Sequence, residues 1–271
     1  MIVEKSYSLL TLEGYLFHSS LTHGLTALRS AGVHDKGNLY TSFFHLSIGL
    51  ERLMKVILVI DHMAKNSMQT PSNRTLRKHS HDLIALYRYL KSFSEPQPNP
   101  LSIIDSSEIS LEILKYLADF ANKSRYYNLN CLTEDQYSDE PLAKWNLIIE
   151  KIICLDVPAR QIEKIELRST EILKATQNIS FVLGENLDGS QMTHQDSVLL
   201  PQYHYLAAKY AVLHVIELVK SLRDLLDFCV DNSHRTARSL KYDKCPVPYM
   251  AEFLNFCLLD RTTILRKKKW P

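Results

Sequence analysis

The chain has 271 residues, 45% apolar and 23% charged, the make-up of a folded globular protein with material for a sizeable core. Only 7 residues are Gly against 14 Tyr, which argues against an all-β fold, whose hairpin turns need residues at positive φ. A formal net charge of +2 is too mild to imply a nucleic-acid partner by itself, so any such reading must rest on local clusters.

Helical periodicity starts at once. Leu12, Leu16, Leu21, Leu25 and Leu28 predict a first helix over Leu9–Ala31. Gly14 and Gly24 inside it cost about 1 kcal/mol each relative to Ala, so this helix needs tertiary support. Residues 32–38, with Gly near both ends, form a turn. The second helix, Leu39–Lys65, is the organising element. Its apolar residues, from Phe43 to Ile60, are too many for one stripe, which predicts a central helix with neighbours on several sides. Gly49 suits a close approach by a partner helix. Glu51 and Lys55 stand four residues apart with Glu first, the favourable order for an ion pair. That pair is either a half-exposed contact or an inward, functional one.

Residues 66–78 read as a polar loop that carries Arg74, Arg77 and Lys78 and leads into His79 and His81. These cations are either a solvated loop face or phosphate contacts. Ser80 is the expected cap of a third helix, His81–Phe93, with Asp82 in its first turn. Three prolines between 94 and 100 end it. Ser106 or Ser107 caps a fourth helix running to about Asn122, followed by an irregular polar segment, SRYYNLN, at 124–130. A fifth helix runs from Pro141 to about Leu155 and a sixth continues to about Gln177. Residues 181–197 read as a loop. A long helix is expected over Pro201–Val230, then a polar connection over 231–242 and a short helix over Tyr249–Leu259. The basic tail, RTTILRKKKWP, is expected to be solvated or disordered, with a weak polyanion contact as the alternative.

Several classes are excluded by what is missing. There is no P-loop, no GxGxxG, no GxSxG and no HExxH. The five cysteines form no CxxC pair and read as reduced, mostly buried thiols. No His pair has metal-ligand spacing, so neither metal nor cofactor is expected. No stretch approaches ~18 uncharged apolar residues and the N-terminus lacks a signal-peptide core, so no membrane association and a cytoplasmic location are expected.

Three pieces stand in a suggestive order: the aromatic-led YTSFFHLSIGLERLMK with Glu51 and Lys55, then His81-Asp82-Leu83, then Arg125 with Asn128. In this order the chain resembles the HEPN superfamily (higher eukaryote and prokaryote nucleotide-binding domain) over roughly residues 10–155. The helical periodicity along the chain predicts an all-α fold; the resemblance implies a HEPN-like bundle over 1–156, and the short linkers predict that a helical C-terminal region, 157–271, packs on it. The resemblance also implies a homodimer and a ligand that is RNA or a nucleotide. It further implies metal-independent endoribonuclease chemistry or a decayed site, in a setting such as stress response or phage defence. Arg125, Asn128 and His81 are then the candidate catalytic residues. Glu51, Lys55, Asp82, Tyr126 and Tyr127 orient them, and Arg74, Arg77 and Lys78 contact phosphate. One departure stands out. Active members carry an Arg followed within about six residues by a His, and after Arg125 this chain reads YYNLNCL, with no His. The residues alone leave two further readings open: Arg125 paired to a core carboxylate such as Glu51, and a non-enzymatic helical scaffold or protein-interaction module.

Overall fold

The computed structural model of the chain describes residues 5–77, 81–133, 140–176 and 182–271. Among these the protein is all-α, and an isolated antiparallel bridge between Glu185 and Gln191 is the only extended pairing. In chain order the helices are α1 (Lys5–Ser30), α2 (Lys36–Lys65), α3 (Asn73–Arg77), α4 (Leu83–Lys91), α5 (Ser102–Asp105) and α6 (Glu108–Asp119). A π-helical turn, Phe120–Ser124, leads to α7 (Tyr127–Leu132), α8 (Pro141–Leu155), α9 (Ala159–Ala175) and α10 (His194–Ser239). A 3-10 helix, Ala251–Leu258, and α11 (Arg261–Arg266) complete the chain.

Helices α1 and α2 lie antiparallel in close contact, and two glycines allow it. A Cβ on Gly24 would stand 2.7 Å from Leu46 Cγ, and one on Gly49 would stand 2.8 Å from Leu21 Cγ. Each glycine receives the leucine of the opposite helix, so Gly24 costs helix propensity and repays it in packing. Asp35 starts α2 by accepting from the Asn38 N–H at 3.1 Å. Helix α2 is central, as its apolar run predicts. It packs against α1 on one side and α10 on another, with α4, α6 and the π-turn on the rest. Phe43 anchors it in an aromatic cluster, 4.9 Å from both Tyr116 and Trp145 and 5.4 Å from Phe120 by ring centroid.

Helix α10 is 46 residues long, about 69 Å at 1.5 Å per residue. It touches α1, α2, α6, α8 and α9, so residues on both sides of position 156 share one core, from Phe43 and Trp145 to Leu222 and Leu254. Buried His214 joins three helices. Its Nε2 lies 2.8 Å from Asp156 Oδ2 at the end of α8, and its Nδ1 lies 3.1 Å from Ser110 Oγ on α6.

Several boundaries differ from the sequence reading. Helix α10 begins at a Thr193/Asp196 capping box rather than at Pro201, which lies inside it. It also continues through the polar stretch after Val230, because Ser233 and Ala237 pack inward and the Thr236 hydroxyl donates to Ala64 O at 2.9 Å. The polar segment after Lys65 contains the short helix α3. Asp82 is the N-cap of α4 rather than a first-turn residue, accepting from Ile84 N and Ala85 N. Lys78, His79 and Ser80 lie outside the described residues. The basic tail is docked: Ile264 and Trp270 are buried, the Trp270 ring lies 6.2 Å from Phe256, and Trp270 N–H donates to Thr26 at 2.9 Å. All five cysteines are free thiols, but only Cys229 and Cys257 are buried, while Cys131 and Cys154 are exposed.

Candidate functional site

Helix α2 presents two neighbouring rows of residues at four-residue intervals: Ser47, Glu51, Lys55 and Val59 beside Ile48, Arg52 and Val56. These rows floor a cavity of 540 Å³. Leu10 and Glu13 of α1 form one wall, and Leu76 of α3, His81, Ala121 and Arg125 close the others. The floor is half apolar, and the polar groups are charges of both signs.

Those charges are mostly spoken for. Arg52 Nη1 donates to both oxygens of Glu13, at 2.8 and 3.0 Å. Lys55 Nζ donates to Glu51 at 2.6 Å, with 27% and 17% of the two side chains exposed. The same Glu51 carboxylate takes His81 Nδ1 at 2.9 Å. Glu51 is therefore a half-buried carboxylate that serves two partners, and neither is Arg125. Arg125 is exposed, makes no ion pair among the described residues, and holds its guanidinium 5.3 Å from the ring centre of Tyr126. Among the described lining residues, three cations stand against two carboxylates, a formal charge of +1 concentrated at Arg125.

The backbone that delivers Arg125 is unusual. Its N–H donates to Phe120 O at 3.1 Å, five residues back, closing the π-turn. The wider turn re-phases the helix by about one residue, roughly 100°, between Phe120 in the core and Arg125 at the cavity. Asp119, just before it, is tied to Lys144 at 2.7 Å and to Lys123 at 3.5 Å. Burial pushes the Asp119 carboxyl up, but the two lysines outweigh it and hold the group below the usual carboxylate range.

The candidate residues divide accordingly. Glu51, Lys55, His81 and Arg125 come together at one cavity, although they arise from separate segments of the chain. Asn128 and Tyr127 do not line it. Asn128 approaches the Tyr40 hydroxyl instead, which still has no partner in hydrogen-bond geometry. Tyr126 stands beside the cavity through Arg125, and Asp82 spends its carboxylate on capping α4. Arg74 and Arg77 are exposed on α3, whose Leu76 forms part of the wall. The sequence reading missed the Glu13–Arg52 pair, whose 39-residue separation leaves no local signal.

Two other clusters make poor alternatives. A recess of 690 Å³ beside α8, α9 and α10 is lined by Glu150, Glu166, Asp188 and Asp196, a negative wall that repels phosphate. Ser110, His214 and Asp156 have the composition of a hydrolytic triad, but Ser110 is 1% exposed, so no substrate reaches its hydroxyl. Among the described residues no group of His, Cys, Asp and Glu is arranged to hold a metal ion, and no helix is long and apolar enough to cross a membrane. Compared with protein-family models, with curated proteins and with solved structures, the chain has no match.

Proposed function

We propose that the cavity over α2 binds the phosphodiester backbone of RNA, and that the chain is a HEPN-like, RNA-interacting protein with metal-independent cleavage as its chemistry. The observation that supports this is the dyad of Glu51 and His81, 2.9 Å apart, in the cavity that also exposes Arg125, which has no carboxylate partner among the described residues. A carboxylate that accepts from Nδ1–H selects the tautomer whose Nε2 carries the lone pair, the arrangement a base needs.

In this reading His81 Nε2 takes the proton of a 2′-hydroxyl, whose oxygen then attacks the adjacent phosphorus. The bond to the 5′-oxygen breaks, and that oxygen takes a proton from water. The products are a 2′,3′-cyclic phosphate and a 5′-hydroxyl end. Arg125 stabilises the charge that builds on the phosphorane oxygens. Glu51 acts through His81 and is a positioning residue.

Incubation with a mixed RNA pool in EDTA, wild type beside His81→Ala and Arg125→Ala, tests this. Cyclic-phosphate ends that form only with wild type are the expected result. Intact RNA in every lane removes cleavage, and binding that neither variant weakens removes the site.

A second reading is favoured by a different observation. Leu9, Leu12 and Leu16, at helical spacing on α1, are 53%, 53% and 37% exposed, and Phe44 of α2 is 43% exposed. The leucine row on α1 suits a homodimer contact, and in a protein without RNA activity it suits a helical interaction module.

A further inference from the structure

Away from the cavity, the molecule gathers positive charge with no counter-charge among the described residues. Arg29 lies near the end of α1, sixteen residues beyond Glu13 and about 24 Å along the helix. It is 4% exposed, and its Nε and Nη1 atoms are buried with no hydrogen-bond partner. Its guanidinium sits 4.7 Å from the centre of the Tyr205 ring on α10. Lys268, in the docked tail, places its Nζ 5.9 Å from the centre of the same ring. Lys209, one turn along α10, donates to Gln161 at 3.1 Å.

Among the described residues no carboxylate answers these three cations: Arg29, Lys209 and Lys268 make no ion pair there. Their mutual influence is visible in the ionisation of the cluster. Burial, and then Arg29, push the Lys209 ammonium down, while hydrogen bonding and charge from Arg29 and Lys268 hold the Tyr205 phenol below its ordinary value. A buried guanidinium without a counter-ion is costly, and most buried charges in proteins are paired. The tail that supplies Lys268 is anchored by buried Trp270, which holds the backbone of this exposed lysine beside α10.

We propose that Arg29 and Lys268, both at the Tyr205 ring, form a binding site for a small phosphate-bearing anion together with Lys209, one turn along α10, whose Nζ lies 5.2 Å from the centre of the adjoining Tyr210 ring. Concentrated positive charge matches concentrated negative charge, as on a pyrophosphate or a terminal phosphate group. A nucleic-acid backbone carries one charge per phosphate and is better met by cations spread along a groove. Tyr205 is 52% exposed, so the cluster opens to solvent on that side.

The test is calorimetric titration of the full chain with inorganic phosphate and with pyrophosphate, at constant ionic strength set with chloride. Lys268→Gln and Lys209→Gln are the variants, since both side chains are at least partly exposed and Arg29 variants risk the fold. The expected result is one saturable site, tighter for pyrophosphate, weakened at least about tenfold by either substitution. The same variants, with one cation fewer, are expected to match or exceed wild type in thermal midpoint without the anion. No saturable heat, or equal affinity in wild type and both variants, overturns the proposal. So does an RNA oligonucleotide without terminal phosphates that needs both lysines while pyrophosphate fails to bind. Because Arg125 and His81 lie in the other cavity, their variants leave this site's affinity unchanged.

Discussion

Glu51 on α2 accepts His81 Nδ1 at 2.9 Å, a contact across thirty residues that joins the central helix to the segment opening α4. It ties the local Glu51–Lys55 pair into the proposed site, because the same carboxylate also holds the His81 imidazole. Glu51→Gln keeps the size and removes the charge. If His81 is the base, this substitution lowers kcat more than it raises KM for RNA, whereas Arg125→Ala lowers kcat/KM by about 100-fold. Steady-state kinetics on a defined oligonucleotide separate the two, and an unchanged kcat in Glu51→Gln removes the dyad from the mechanism.

The contact between α1 and α2 gives a stability prediction with its own control. A Cβ at Gly49 meets Leu21 Cγ at 2.8 Å and the Leu21 backbone N at 3.1 Å. Gly49→Ala is therefore expected to destabilise by about 1–3 kcal/mol, as overpacking does. A Cβ at Gly32 would meet nothing within 4 Å, and Gly32 has no positive φ. Gly32→Ala is accordingly expected to be neutral or to stabilise by up to about 1 kcal/mol. Urea denaturation of both variants measures the difference, and equal midpoints contradict the packing argument.

Two buried histidines on α10 shape stability against pH in opposite senses. Burial, helped by His34, pushes His204 down to about 4. The unfolded chain takes up this proton near pH 6.5, while the folded chain resists until about pH 4. Stability therefore falls as pH drops through that window, by about 3 kcal/mol at its lower end. Burial pushes His214 down as well, but Glu217 and Asp156 outweigh it and raise the group overall. Its contribution is full below pH 6.5 and is lost as pH rises through the folded value. His204→Gln is expected to flatten the acid side of the profile and His214→Gln the side above pH 6.5. Thermal midpoints from about pH 4 to about pH 8 check both, and an unchanged acid slope in His204→Gln excludes its role.

The docked tail is a structural element, so its aromatic anchor matters more than its charges. Trp270 is 6% exposed against Phe256. Trp270→Ala is expected to cost about 3 kcal/mol. Lys269→Gln, at an exposed position, is expected to change stability by less than about 0.5 kcal/mol. Chemical denaturation of the two variants decides between a docked tail and a free one.

The apolar face of α1 predicts self-association. Leu12→Glu combined with Leu16→Glu is expected to convert a dimer to a monomer in sedimentation velocity while leaving the far-ultraviolet spectrum helical. A wild type that stays monomeric at every concentration removes the dimer.

The sequence by itself determined the helical class and the central place of α2. Both are written in local periodicity, and an apolar run over most of a helix's circumference has no solution but burial on several sides. Spacing on one helix also singled out the Glu51–Lys55 pair, whereas His81, Arg125 and Asn128 came forward only through the resemblance to the HEPN superfamily. What only the tertiary structure decided is which of them meet. The Glu51–His81 hydrogen bond, the Glu13–Arg52 pair and the turning away of Asn128 depend on helix phase and on the π-turn at 120–124, which a change of one residue per turn would rotate. The extent of α10 and the docking of the tail were likewise hidden. Polar stretches that become ordered do so by burying a few small or aromatic residues, such as Ala237 and Trp270, against partners far away in sequence. The uncompensated charge of Arg29 was least visible of all, since a lone arginine at the end of a helix reads as solvated until its neighbours are known.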